Sequence, residues 1–306
     1  MVSVIGKDRL RPLTAGLSLL FLVMLCAAGA LASLPARPAP ALWQVSSETG
    51  TVYLLSALNF GNDEFYPLHP KIERVFAACD HLVVSVDLTK IDPEELNASI
   101  LAAALCPEGM TIGDLLSPAD IQRCTEALAR YGLSLEQLAL FRPWFLLVTI
   151  EAGHQQSMGY FPDQSLDIYF LEKAGEKQII GLENPAGQAT LLAELPPATE
   201  KRLLLETLDS DLTEETEALI TAWWTGDLVK LEAVIFTHQK DPDYFAYYDR
   251  IYFRRNRRIV EQIEEFLAAG GSYFLLLPSG HFLGDQGIVA LLQTKGYTVE
   301  RLPLSD

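Results

Sequence analysis

Two apolar runs near opposite ends of this chain show no alternation of polar and apolar residues, and each leads into a turn and a helix-period segment. Residues 51–58 (TVYLLSAL) and 273–277 (YFLLL) therefore read as strands buried on both faces, the pattern of a parallel sheet covered by helices. After the first run, Asn59-Phe60-Gly61-Asn62-Asp63 reads as a loop, and Ile72, Val75, Phe76 and Cys79 recur at helical spacing behind Pro70. Residues 81–88 (HLVVSVDL) then give a second buried run, so that strand, helix and strand fall within 38 residues. This is a βαβ unit, whose strands must run parallel.

The C-terminal end repeats the arrangement. Ile259, Ile263, Phe266 and Leu267 mark one helix face, Gly270-Gly271 ends it, and the strand at 273–277 runs into Pro278-Ser279-Gly280-His281. A helix over 286–295 and a last strand over 298–302 follow. The expected fold class is α/β, with a central sheet built from βα units at the two ends and a largely helical insert, about 107–240, between them. In that insert, Ser117-Pro118-Ala119-Asp120 is a capped helix start with proline at the first position. Ser134-Leu135-Glu136-Gln137 opens a second predicted helix that continues through Arg142-Pro143-Trp144, and 178–182 is a short strand. Helices are predicted around 200–208, 214–224 and 227–236.

Lys7, Arg9 and Arg11 precede an apolar stretch at 17–28 and the small-residue pattern Ala30-Leu31-Ala32. This predicts a signal peptide over 1–32, cleaved after Ala32. Its apolar core is shorter than the roughly 20 residues a permanent span needs, so a membrane enters only through this segment if it stays uncleaved. Leu25 before Cys26 is too bulky for a lipoprotein signal. A proline-rich linker (33–41) leads to one domain over 42–306. Cleavage takes the formal charge from −17 to −19, which argues against nucleic acid as a partner. Of the remaining cysteines, Cys106 and Cys124 are expected to pair in an oxidising compartment, leaving Cys79 as a buried thiol.

Residues 244–258 (YFAYYDRIYFRRNRR) form the one basic and aromatic patch in an acidic protein. Two readings stand: an anion-binding wall, or arginines bridged to carboxylates with aromatic packing. His69, His81, His154 and His238 are isolated and read as surface or capping residues.

In order along the chain stand Leu42-Trp43, Thr51-Val52-Tyr53-Leu54-Leu55, Phe65-Tyr66-Pro67-Leu68, Leu82-Val83-Val84, Asp167-x-Tyr169-Phe170, Gly181-Leu182-Glu183 with Gln188, Trp224-x-Gly226-Asp227, Arg255-Asn256-Arg257 and Gly280-His281-x-x-Gly284. Taken together these resemble the TraB/GumN family, part of a TIKI-like, metalloprotease-related superfamily. The resemblance implies two Gly-x-x-His motifs and a glutamate at the ends of parallel strands. Such a set could hold a divalent Mn, Co or Zn ion to activate water. This chain departs from it: Ser56-Ala57-Leu58-Asn59 replaces the first motif, Ser85 stands for the glutamate, and Pro278 precedes His281 where glycine belongs. Asparagine is a poor substitute for imidazole, and serine supplies no charge.

The expected site is His281 as the one surviving catalytic candidate. Asn59, Ser85, Asp87, Glu183, Arg255, Asn256 and Gly280 are its binding candidates, and His281 with Asp87 are the metal ligands if a metal is held. Glu183 either faces the crevice or bridges to Arg255. A nucleophile set of Ser85 or Ser279 with His281 and Asp87 has no Gly-x-Ser-x-Gly elbow behind it. The leading expectation is an exported periplasmic or envelope protein that has lost the catalysis and kept a crevice for a peptide, small anion or envelope protein. An active metal-dependent hydrolase remodelled around His281, or a structural envelope protein, are the alternatives.

Overall fold

The computed structural model describes residues 36–184, 187 and 190–304; the predicted signal peptide and Gln188 lie outside the described residues. Among the described residues no helix is long and apolar enough to cross a membrane.

Strands β1 (Leu42–Ser46) and β2 (Gly50–Ala57) form an antiparallel hairpin, in register from Leu42 opposite Leu55 to Ser46 opposite Thr51. The helix α1 (Pro70–Ala78) carries the chain to β3 (His81–Val84). His69 caps α1, its Nδ1 accepting from Lys71 N, and Pro70 fills the first helical position, where a missing N–H costs nothing. Strand β3 stops before the predicted residue 88 because Asp87 turns the chain: its Oδ1 accepts from Thr89 N in a 3-10 turn over Leu88–Lys90.

The insert follows as α2 (Pro93–Ala104), α3 (Ile112–Leu115), α4 (Pro118–Ala129), α5 (Pro143–Ser157) and α6 (Leu166–Glu172). Ser117 accepts from Asp120 N as its sequence predicts. The helix expected to run through Arg142-Pro143 is instead two elements, a 3-10 turn at Glu136–Leu138 and a fresh helix at Pro143. Proline forces Arg142 into an extended conformation (φ −70°, ψ 160°) and suits the first helical position better than an interior one. Strand β4 (Gln178–Gly181) comes next, then α7 (Pro197–Asp209), α8 (Leu212–Thr225), α9 (Leu228–Ile235) and α10 (Phe245–Tyr248). A π-helical stretch, Asp249–Phe253, joins α10 to α11 (Arg254–Ala269). The chain closes with β5 (Gly271–Pro278), α12 (Ile288–Thr294) and β6 (Val299–Arg301).

One six-stranded sheet results, in the order β4-β3-β5-β2-β1-β6. Strand β5 pairs in parallel with β2 along its whole length and with β3 on its other side, and β3 pairs in parallel with β4. The C-terminal unit thus inserts its strand between the two strands of the N-terminal unit. The middle of the chain is not purely helical, since β4 adds an edge strand. Side chains of β5 alternate between two cores: Phe274 and Leu276 join Phe76, Phe170 and Trp223, while Leu275 and Leu277 join Ile259, Ile263 and Leu292. A third cluster knits α4, α5 and α7 through Leu128, Leu146, Ile150 and Leu204.

The expected Cys106–Cys124 bridge does not form; Cys79, Cys106 and Cys124 are all free. Cys124 faces inward in the α4–α5–α7 cluster, where burial pushes its thiol up to about 11. Its helix directs it into an apolar core, away from any partner.

Candidate functional site

Because β2, β3, β4 and β5 are parallel, the segments that leave their carboxyl ends share one edge, where open α/β sheets bind ligands. Asn59 follows β2, Ser85 and Asp87 follow β3, Glu183 follows β4, and Gly280 and His281 follow β5. The topology brings the predicted residues to a common rim, but their side chains meet very different fates.

The turn after β5 is fastened to the end of β2. Ser279 Oγ donates to Ala57 O (2.9 Å) and lies 2.7 Å from Ser56 Oγ, while the Trp223 indole donates to Ser56 O. Tyr252, on the π-helical stretch, packs edge-on against the His281 ring at 5.3 Å. A Cβ at Gly280 would lie 2.5 Å from the Tyr252 ring, so only glycine lets the two segments approach. A π turn offsets side chains from regular helical register and recurs at functional sites; here it presents Tyr252 to this turn.

His281 is fully buried, with its Nδ1 2.6 Å from Asn256 Oδ1. Asn256, also fully buried, gives its Nδ2 to Gln286 O at 2.8 Å. That carbonyl can only accept, so the amide orientation is decided: the nitrogen faces Gln286 and the oxygen faces the histidine. An amide oxygen in turn can only accept, so His281 carries its proton on Nδ1 and presents a bare Nε2 lone pair. Burial first, and the Arg255 charge second, hold the imidazole well below its ordinary proton affinity, so the ring is neutral. Its Nε2 has no protein partner, a state that costs about 1–3 kcal/mol when nothing fills it.

Next to Asn256, Arg255 is nearly buried and fully committed. Its Nε and Nη2 donate to the two Glu183 oxygens at 2.8 and 2.6 Å, and Nη1 donates to Ile251 O. The fork-to-fork pair ties α11 to the end of β4. Most of the rest of the basic patch is bridged as well: Arg250 pairs with Glu194, and Arg254 and Arg257 share Asp249, while Arg258 is exposed.

The β2 and β3 side of the rim is different. Asn59 is exposed. Ser85 is buried and its Oγ has no protein partner, although its carbonyl accepts from Glu183 N. Burial pushes the Asp87 carboxyl up, but Lys90 at 2.7 Å and the Thr89 hydroxyl and amide outweigh it and hold the group below the usual carboxylate range. Asp87 therefore serves the turn after β3. A cavity of about 180 Å³, lined by Lys90, Asp92, Glu95 and Asn184 among others, opens beside this end and does not include His281.

Two residues were not singled out from the sequence. Glu151 on α5 is raised to about 7, by burial first and by Glu215 second, and its charge contributes to raising the phenols of Tyr247 and Tyr252. The signal for it was a carboxylate in the apolar helix PWFLLVTIEAGHQQS. Tyr252 had no signal beyond the aromatic run. Asp167 lies in the first turn of α6, raised to about 6 by burial.

The donor set does not fit a catalytic divalent ion. His281 is held as a metal-ligating histidine is held, with one nitrogen anchored and the other bare. A second imidazole and a free carboxylate are not beside it, and no three His, Cys, Asp or Glu side chains group as metal ligands among the described residues.

A mixed α/β sheet crossed by a helical insert, with a histidine turn at the carboxyl ends of its four parallel strands, defines the class of protein. Residues 41–301 match the TraB/PrgY/gumN family, and the chain belongs to it. It is 20% identical over 286 residues to a Treponema pallidum (strain Nichols) protein described as uncharacterized, covering 87% of this chain and 84% of that one. It is 36% identical over 59 residues to a metalloprotease TIKI homolog from Amphimedon queenslandica, a match spanning 19% of this chain and 12% of that protein. No solved structure matches.

Proposed function

We propose that this is an exported family member, of the periplasm or cell envelope, that has lost metal-dependent hydrolysis and kept its crevice for binding. One observation carries the reading. The imidazole at the end of β5 retains its full hydrogen-bonded support, yet the positions at the ends of β2 and β3 offer an exposed amide, Asn59, and a neutral hydroxyl, Ser85. Water activation at neutral pH needs either a metal held by several donors or a free general base. Asp87, the carboxylate nearest Ser85 in sequence, is committed to Lys90 and Thr89. The similarity to the TIKI homolog supports descent from a metal-dependent peptidase, and the basic, apolar and small-residue order of residues 7–32 supports export.

The test is the metal content and peptidase activity of the purified chain beside His281→Ala and the triple variant Asn59→His, Ser85→Glu, Pro278→Gly. The expected result is no stoichiometric Mn, Co or Zn in the native protein and a gain of metal in the triple variant. Stoichiometric metal in the native protein that disappears with His281→Ala would overturn the reading.

A further inference from the structure

The two edges of the sheet are protected unequally. At one edge β6 carries Glu300 and Arg301, charges of the kind that keep other strands from pairing there. At the other edge β4 reads Gln178-Ile179-Ile180-Gly181, with no charged residue and no proline. Leu182 N donates to Val84 O, and alternate residues of a parallel strand face the neighbour. Ile180 therefore faces β3, while Ile179 and Gly181 turn their N–H and C=O groups outward. Those outward groups have no hydrogen-bond partner among the described residues, and Gln178 and Gly181 are exposed.

The carboxyl end of this open edge leads to the cavity of about 180 Å³. A Cβ at Gly181 would lie 2.8 Å from Asp87 N, so the chain leaving β3 crosses over β4 and carries Lys90 and the first turns of α2 past it. Asn184 follows Gly181 so closely that the two lie within about 10 Å, and it lines the cavity together with Lys90, Asp92, Glu95, Leu96 and Ser99. The charge of that lining has one sign. Lys90 is matched by Asp87, whereas Asp92 and Glu95 have no ion pair among the described residues. Ser99 Oγ donates its proton to Glu95 O, and Asp92 uses only Oδ1, as the cap of α2. The cavity thus offers acceptors and two unmatched carboxylates beside the apolar Leu96.

We infer that β4 is a docking edge for an extended peptide, which adds a strand to the sheet and places a lysine or arginine side chain in the cavity. Main-chain hydrogen bonds to Ile179 and Gly181 hold the added strand, and the pocket selects its side chain. A strand rises about 3.3 Å per residue, so a peptide paired with Gly181 comes level with Asn184 a few residues further on. There the basic head meets Asp92 and Glu95, and its aliphatic stem lies along Leu96. A second copy of the chain is the poorer occupant, because it brings another net charge of −17 to an acidic surface. This surface uses no atom of the His281 turn and goes beyond the crevice reading above.

The experiment is fluorescence anisotropy of the full chain with a dye-labelled peptide of alternating threonine and valine and one central arginine, beside versions with glutamine or glutamate at that place. The arginine peptide should bind about tenfold tighter than the glutamine peptide, the worth of one charge-assisted hydrogen bond, and the glutamate peptide should not bind. Glu95→Gln should remove most of the preference for arginine and leave the glutamine peptide unchanged. Ile179→Pro removes only an outward N–H, so the ladder to β3 survives; with an unchanged thermal midpoint it should abolish binding of every version. N-methylation of the peptide amides on one face of the strand should abolish binding, and on the other face leave it intact, a readout that needs no protein variant. Equal binding of the glutamate peptide overturns the charge assignment. Binding that survives Ile179→Pro and both methylated peptides, or no binding of the arginine peptide, overturns the docking edge. A dimer in sedimentation that disappears with Ile179→Pro gives the edge to a second copy and overturns the peptide.

Discussion

The turn after β5 and the segments after β2 and β3 stand at one edge of one sheet, yet they are built to different standards. Around His281 almost every polar atom has a partner: Ser279 on Ala57, Asn256 on Gln286, Arg255 on Glu183 and Ile251. At the ends of the strands that flank β5, Ser85 Oγ has none, Asn59 faces solvent, and Asp87 caps a turn. The better-supported side is the one whose interactions also hold the fold together. Arg255 and Glu183 join α11 to β4, and the Ser56–Ser279 contact joins β2 to β5, so both contacts hold the fold as well as the rim.

That contrast breaks first at Arg255. Arg255→Ala would leave Glu183, about four-fifths buried, with no countercharge. Removing one partner of such a pair is expected to cost about 3 kcal/mol, read as a lowered denaturant midpoint with an unchanged slope. The double variant Glu183→Gln, Arg255→Met should recover much of that loss. If Arg255→Ala unfolds at the native midpoint, the bridge does not support the fold and the arginine is free for a ligand after all.

Asn256 tests the next level. Asn256→Leu keeps the shape but strips partners from both Gln286 O and His281 Nδ1, an expected loss of about 2 kcal/mol. The sharper readout is ¹⁵N NMR of the His281 ring. The native protein should show one neutral tautomer with the proton on Nδ1, and the variant a mixture. A single tautomer retained in the variant would mean that something other than Asn256 orients the ring.

Much of this edge was legible in the sequence, and the limits follow from which interactions are local. Continuous apolar runs identified β2, β3 and β5, and the parallel βαβ logic brought Asn59, Ser85 and His281 to one rim, because strand burial and crossover geometry depend on short stretches of chain. The pairing of Arg255 with Glu183, 72 residues apart, stayed open because two motifs alone do not say whether they face a ligand or each other. The placement of β5 between β2 and β3 was not legible either, since strand order depends on packing by helices far along the chain. Proline at 143 carried a local meaning that an apolar run obscured: it starts α5 and does not kink a longer helix. Tyr252 reaches His281 through a π turn, an irregularity of backbone register that helical periodicity does not show. Glu151 is perturbed by burial among α5 and the tyrosines, and burial of one polar group inside an apolar helix is visible only after the helices are assembled.

The smallest expected effect is at Ser85. Its hydroxyl is buried and makes no hydrogen bond with protein, so the fold bears its desolvation without compensation. Ser85→Ala removes that hydroxyl at the price of a small void. The two terms oppose each other and are of similar size, so the net change should stay within about 1 kcal/mol and favour the variant if the void collapses. The comparison gives this near-zero value its meaning: a substitution at the end of β3 that is almost silent for stability, set against a loss of several times that size from Arg255→Ala at the helix facing the same edge. A cost above about 2 kcal/mol for Ser85→Ala would place it among the large effects of buried hydrogen-bond loss. The β3 end would then be as fully built as the β5 end, and the asymmetry on which the binding reading depends would be gone.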